Sequence, residues 1–138
     1  EGLSVAVSVD FEHDPPVGER LSIFDKVPLI VFPGRGRPNF ADEVLGILKR
    51  ENVSARVETV AEDVRSALTL TAIGAGATIV PGTVADFSWS GVRFIPLETL
   101  RLECPVNCVY RKSETSPILK AMLSTLRQFR AERSREVA

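Results

Sequence analysis

A chain of 138 residues, 44% hydrophobic and 25% charged, is long enough for one domain with a buried core and too apolar for disorder. Seventeen basic residues stand against eighteen acidic ones, a net charge of -1 that leaves no basic footprint for nucleic acid. No apolar run reaches about eighteen residues and there is no signal-peptide pattern, so nothing is read as crossing a membrane. The chain starts at Glu1 without Met, in residues that already read as strand, and is expected to be a piece of a longer protein.

Residues 3–9, LSVAVSV, alternate with period two and predict a half-buried strand. FEHDPPVGER follows as a polar loop stopped by Pro15, Pro16 and Gly18; His13 in it has no visible partner and is read as neutral in role. One helical turn is predicted over residues 21–24. Residues 27–32 have the composition of a buried strand, which Pro33, Gly34 and Gly36 break into a tight loop. Asn39 then caps a helix near 40–51 whose Phe40, Val44, Leu45 and Leu48 share a face. Strand, glycine loop and helix N-terminus aim backbone N–H groups at an anion, with Asn39 and Phe40 where a carboxylate meets them. An ordinary turn explains the same residues, and both readings stand at this point.

Residues 54–60 predict another strand, and Glu62 and Asp63 open a helix near 62–73 that Gly74 and Gly76 end. GAGA follows a helix and lacks the GxGxxG pattern, so it is no dinucleotide fingerprint. Further strands are predicted at 77–80, 91–97 and 105–111, with a turn at 84–87 and Trp89 packed at the surface of a core. Ser116 caps and Pro117 starts the last helix. Its Ile118, Met122, Leu126 and Phe129 form an apolar stripe that has to bury on this sheet or on a part outside the chain, and the charged tail from Arg130 is expected to fray. Strands alternating with helices predict a parallel or mixed sheet of about five strands with helices on both faces.

On a strand Cys104 and Cys108 would lie about 13 Å apart, too far for a disulfide. They are read as buried free thiols in a reducing compartment, and no metal site or cofactor is expected. GxSxG, the P-loop lysine motif and HExxH are all missing. The carboxylate pairs Glu12/Asp14 and Glu62/Asp63 are explained by solvation and the helix dipole. Arg35 and Arg37 flank Gly36 and either attract an anion or stand solvated. The chain is not expected to be an enzyme.

PLIVFP (28–33), RPNF (37–40), ALTLTAIGAGATIVP (67–81), IPL (95–97) and CPVNCVYR (104–111) carry a likeness over residues 3–129. The chain resembles the C-terminal effector-binding region of LysR-type transcriptional regulators, in the branch that controls aromatic catabolism and senses muconate or benzoate-like acids. The resemblance implies an α/β, periplasmic-binding-protein-like (type II) fold of two subdomains joined by crossover strands. Residues 1–11 would be the outgoing crossover, 12–103 the second effector-binding subdomain, and 104–138 the return crossover and a helix of the first subdomain. Most of that first subdomain, and the DNA-binding domain, would lie outside this chain.

By the same resemblance, Pro38, Asn39 and Phe40 are effector-binding residues whose amides and Asn side chain meet a carboxylate, with Val106 an apolar cleft position. The loop His13-Asp14-Pro15-Pro16 departs from the family's usual His-Pro-Leu-Ala. The implied partners are a small organic acid, DNA through the N-terminal domain alone, and a second copy in the full-length protein, with a cytoplasmic location and no membrane. The alternative is a fragment of a solute-binding protein or an α/β enzyme sharing the fold.

Overall fold

The computed structural model describes residues 2–36, 38–98 and 107–136. They form two compact units, residues 1–106 and 107–138. In the first unit, strand β1 (Leu3–Ser8) lies between β4 (Thr78–Pro81) and β5 (Val92–Leu97), antiparallel to both. Strand β2 (Leu29–Val31) runs parallel to β3 (Val57–Val60). A parallel bridge from Leu29 to Ala77 joins the two sets, so five strands lie in the order β3-β2-β4-β1-β5. The expected mixed sheet is therefore present.

Helix α1 (Phe40–Arg50) and helix α2 (Val64–Ala72) cover opposite faces of it. Leu3, Val5 and Val7 of β1 pack with Leu29, Val31, Ile79 and Ile95 against Val44, Ile47 and Leu48 of α1. Ala6, Ile30, Phe32 and Val80 point the other way, against Ala67 and Leu68 of α2. A 3-10 turn (Arg20–Asp25) adds Ile23 and Phe24 to the first layer, where the single helical turn was expected.

Burial differs from the period-two reading at β1. All six residues are buried, with Ser4 4% and Ser8 9% exposed. The alternation predicted one wet face, but α2 covers that face, and the small Ser and Ala side chains there let the helix approach. Strand β3 shows the converse: it is the edge of the sheet, and Val57 and Val60 are exposed. Short helix α3 (Gly82–Ala85) stands near the expected turn, and Trp89 packs partly buried beside the α2 layer.

In the second unit, helix α4 runs over Pro117–Glu136, capped by Ser116, whose Oγ accepts the Leu119 N–H at 3.2 Å. It continues past Arg130, where Arg, Ala and Glu are strong helix formers. Ile118, Met122, Leu126 and Phe129 are 82%, 45%, 43% and 56% exposed. The expected strand at 105–111 is corrected over its described part. Residues 107–111 lie in no ladder and are exposed, and a strand without a partner has no hydrogen bonds to hold it. Cys108 sits there as a free, exposed thiol, which overturns the expectation of burial; Cys104 lies outside the described residues.

Two substitutions of glycine test the packing. A Cβ on Gly76 would stand 2.6 Å from the Pro28 carbonyl oxygen, next to the bridge that joins the two strand sets. On Gly46 the nearest atom would be 3.5 Å away, at the mobile end of Arg50. Gly76→Ala is expected to destabilise the first unit by about 1–3 kcal/mol, through forced backbone shifts. Gly46→Ala, inside α1, is expected to stabilise it by about 0.5–1 kcal/mol. Urea unfolding of the two variants reads both signs.

A further test concerns Asp63, which caps α2 by accepting the Ser66 N–H at 2.7 Å. That hydrogen bond holds its carboxyl below the ordinary aspartate value. The folded-state pKa is thus the lower one, so the contribution is present above the unfolded pKa and lost as pH falls through the folded one. Stability measured against pH should lose this acid-side component in Asp63→Asn, which keeps an acceptor but cannot titrate.

Candidate functional site

Three parallel strand ends set the geometry. The carboxyl ends of β2 and β3 lead into the N-termini of α1 and α2, and that of β4 leads into α3. All three connections therefore open on one edge of the sheet, the edge at which open α/β sheets bind ligands. The first residues of β1 reach the same edge, where Gly2 accepts the Gly82 N–H at 2.7 Å.

At this edge the loop after β2 is shaped by backbone constraints. A Cβ on Gly34 would meet Val60 Cγ1 at 3.2 Å, and Gly36 has φ +76°, a left-handed turn that suits glycine. Arg35 forms an ion pair with Glu62 at 3.5 Å; at 91% and 80% exposure the pair contributes little to stability. Arg37 lies outside the described residues.

Asn39 ties the loop to the helix. Its Oδ1 accepts the Ala41 N–H at 3.0 Å and the Asp42 N–H at 3.4 Å, the bonds of an N-cap. Its Nδ2 donates to the Pro33 carbonyl at 3.1 Å and the Arg35 carbonyl at 3.0 Å. Asp42 Oδ2 accepts the Asn39 N–H at 2.9 Å, completing a capping box. The expected cap is therefore present, with a second role the residue pattern did not disclose. The signal for part of it was legible: Asn39 and Asp42 stand at capping-box spacing.

The four predicted site residues fare differently. Pro38, Asn39 and Phe40 stand together at the start of α1. Pro38 has no N–H, the Asn39 N–H is held by Asp42, and the Asn39 side chain is engaged at both its ends. The capping network leaves out the Phe40 N–H, the donor at the first helical position. The Phe40 ring packs on Phe32 with centroids 5.3 Å apart and bridges the two core layers. Val106 lies outside the described residues.

Electrostatically the site is mixed. The positive end of the α1 dipole faces it, but Asp42 and Glu43 in the first turn offset part of that field. What the arrangement offers is a fixed donor on an aromatic platform. Among the described residues there is no nucleophile with a partner base, and no group of His, Cys, Asp or Glu could hold a metal ion. No helix among the described residues is long and apolar enough to cross a membrane.

Comparison with known proteins places this geometry in a family. The chain is 46% identical over 99 residues to the HTH-type transcriptional regulator ClcR of Pseudomonas putida, covering 72% of this chain and 34% of ClcR. It thus spans about a third of the length of that relative. Among solved structures it is similar to CbnR, a LysR family transcriptional regulator, with TM-score 0.78, 35% identity and coverage of 89% of this chain and 43% of CbnR. Full-length CbnR has also been solved with its target DNA. The BenM effector-binding domain with its effector benzoate shares the fold, with TM-score 0.68 at 22% identity over 97% of this chain and 61% of that one. The α/β architecture is therefore the periplasmic-binding-protein-like type II fold of these effector-binding domains. Residues 1–131 match the family model described as the LysR substrate binding domain, and the chain belongs to that family.

Proposed function

We propose that this chain is the effector-sensing part of a LysR-type transcriptional regulator, and that it binds a small organic acid without converting it. One observation carries the assignment of the site: Asn39 caps α1 and pins the preceding loop, leaving the Phe40 N–H as the open donor at the ligand-binding edge. The effector carboxylate accepts this N–H, and Pro38 and Phe40 supply apolar contact. Asn39 acts by holding the donor in place. Val106 is assigned an apolar contact from the return crossover.

The proposed layout keeps residues 1–11 as the outgoing crossover, 12–103 as the second subdomain and 104–138 as the return crossover and a helix of the first. The second cleft wall then comes from chain beyond these residues, and so does the surface that covers Ile118, Met122 and Leu126. DNA is read by a separate N-terminal domain, in a cytoplasmic oligomer of the full-length protein. The relative lengths support this layout, since the chain covers 43% of CbnR. The regulator names of the relatives support binding over catalysis.

Amide-resolved NMR titration with benzoate and muconate tests the site. Shifts should center on Phe40 and its neighbours, and both acids should emerge chemically unchanged. Loss of two charge-assisted hydrogen bonds from the other wall, at roughly 1.5–3 kcal/mol each, weakens affinity at least a hundredfold. The 138-residue chain should therefore bind in the millimolar range or weaker, and the complete regulatory region much more tightly. Shifts clustered away from α1 would remove the site, and equal tight binding by both would remove the two-wall layout.

A further inference from the structure

We propose that a second small-molecule site lies at the opposite end of the sheet, and that it takes an apolar molecule carrying a protonated amine. A cavity of about 320 Å³ opens there, within the size range of small-ligand pockets. Strand β1 is antiparallel to β4, with Leu3 beside Pro81 and Ala6 beside Thr78, so the Ser8 end of β1 lies at the amino end of β4. That is the edge away from the N-terminus of α1.

Its apolar part is formed by Val7, Phe11, Val27, Ala72 and Ile73. Its backbone is held in place: the Gly76 position leaves no room for a Cβ against Pro28, and the position of a Cβ on Gly91 lies 3.1 Å from the Ala72 Cβ. The cavity thus lies where the ends of β1 and α2 meet the loops that follow them and the loop that precedes β2.

The polar groups of the lining are mostly acceptors, and the neighbouring cation, Arg93, is engaged by the Phe11 and His13 carbonyls and by Asp14. Helix α2 ends here, so its carbonyls and the negative end of its dipole face the cavity. The Ala72 carbonyl receives the Ser8 hydroxyl at 3.5 Å, the limit of a hydrogen bond, and is open to a stronger donor. Ser8 itself is only 9% exposed. Asp10, an exposed residue of the lining, brings a carboxylate to the rim, and among the described residues no Lys or Arg pairs with it. The lining holds no Lys, Arg or His. An organic acid would meet Asp10 and carbonyl acceptors, with the Arg93 guanidinium already engaged. An ammonium group would meet a carboxylate, a carbonyl and a hydroxyl, with its apolar body between Phe11, Val27 and Ile73.

Titration of the 138-residue chain with phenethylammonium, followed by amide-resolved NMR, tests this. Saturable shifts are expected at Ser8, Asp10, Phe11, Ile73 and Gly74, with phenylacetate causing none there. Asp10→Asn should weaken the amine about tenfold or more, the loss expected for one charge-assisted hydrogen bond. Ile73→Lys should abolish binding by placing a cation at the rim; Ile73 is 75% exposed, so the fold should persist. The proposal is overturned if the amine leaves these amides unmoved, if phenylacetate saturates them, or if both variants bind as the parent does. These amides are separate from Phe40, so this outcome and that of the acid titration are read independently.

Discussion

The Asn39 side chain is the contact on which the site depends. Its oxygen satisfies two N–H groups of the first turn of α1, and its nitrogen holds two carbonyls of the loop before it. Without the first pair the helix would begin with unmet donors; without the second, the loop between β2 and α1 would lose two of the bonds that tie it to the helix. Asp42 closes the arrangement from the other side by holding the Asn39 N–H. The Phe40 N–H is consequently set in direction by Asn39 and Asp42 and bound to neither. Preorganisation of this kind lowers the ordering cost of binding.

Around that contact, the sheet separates opposite polarities. The parallel run of β2, β3 and the start of β4 places the N-termini of α1 and α2 at one edge. Helix α2 carries its C-terminus to the other edge, where the second cavity and Asp10 lie. Strand β1 stabilises both ends: it is buried throughout and pairs on both sides, so the layers of α1 and α2 meet across it. A single strand thus links the proposed acid site near Gly2 to the second cavity near Ser8.

Local chemistry was the part most legible in the residues. Pro33, Gly34, Gly36 and Asn39 announce a loop and a cap in a few positions, and the stripe over Val44 and Leu48 announces the helix they start. Tertiary burial was less legible. The serines of β1 look like a wet face because nothing local reveals that α2 lies over them. Residues 105–111 read as strand from composition, yet the described part has no neighbour to pair with, and Cys108 is exposed for the same reason. The two carbonyl contacts of the Asn39 nitrogen, and the cavity beside Ser8, depend on loop paths and long-range packing that no spacing rule encodes. Family resemblance pointed to Pro38, Asn39 and Phe40; in the proposed site Asn39 positions and Phe40 donates.

The most direct test of this division is Asn39→Ser in the complete regulatory region, with benzoate binding measured by calorimetry and helix content by circular dichroism. Serine keeps the oxygen that caps α1 and removes the nitrogen that holds the Pro33 and Arg35 carbonyls. The account predicts unchanged helix content with affinity reduced about tenfold or more, as the loop loosens around the Phe40 donor. Unchanged affinity would contradict it, since the loop would then have no part in setting the donor.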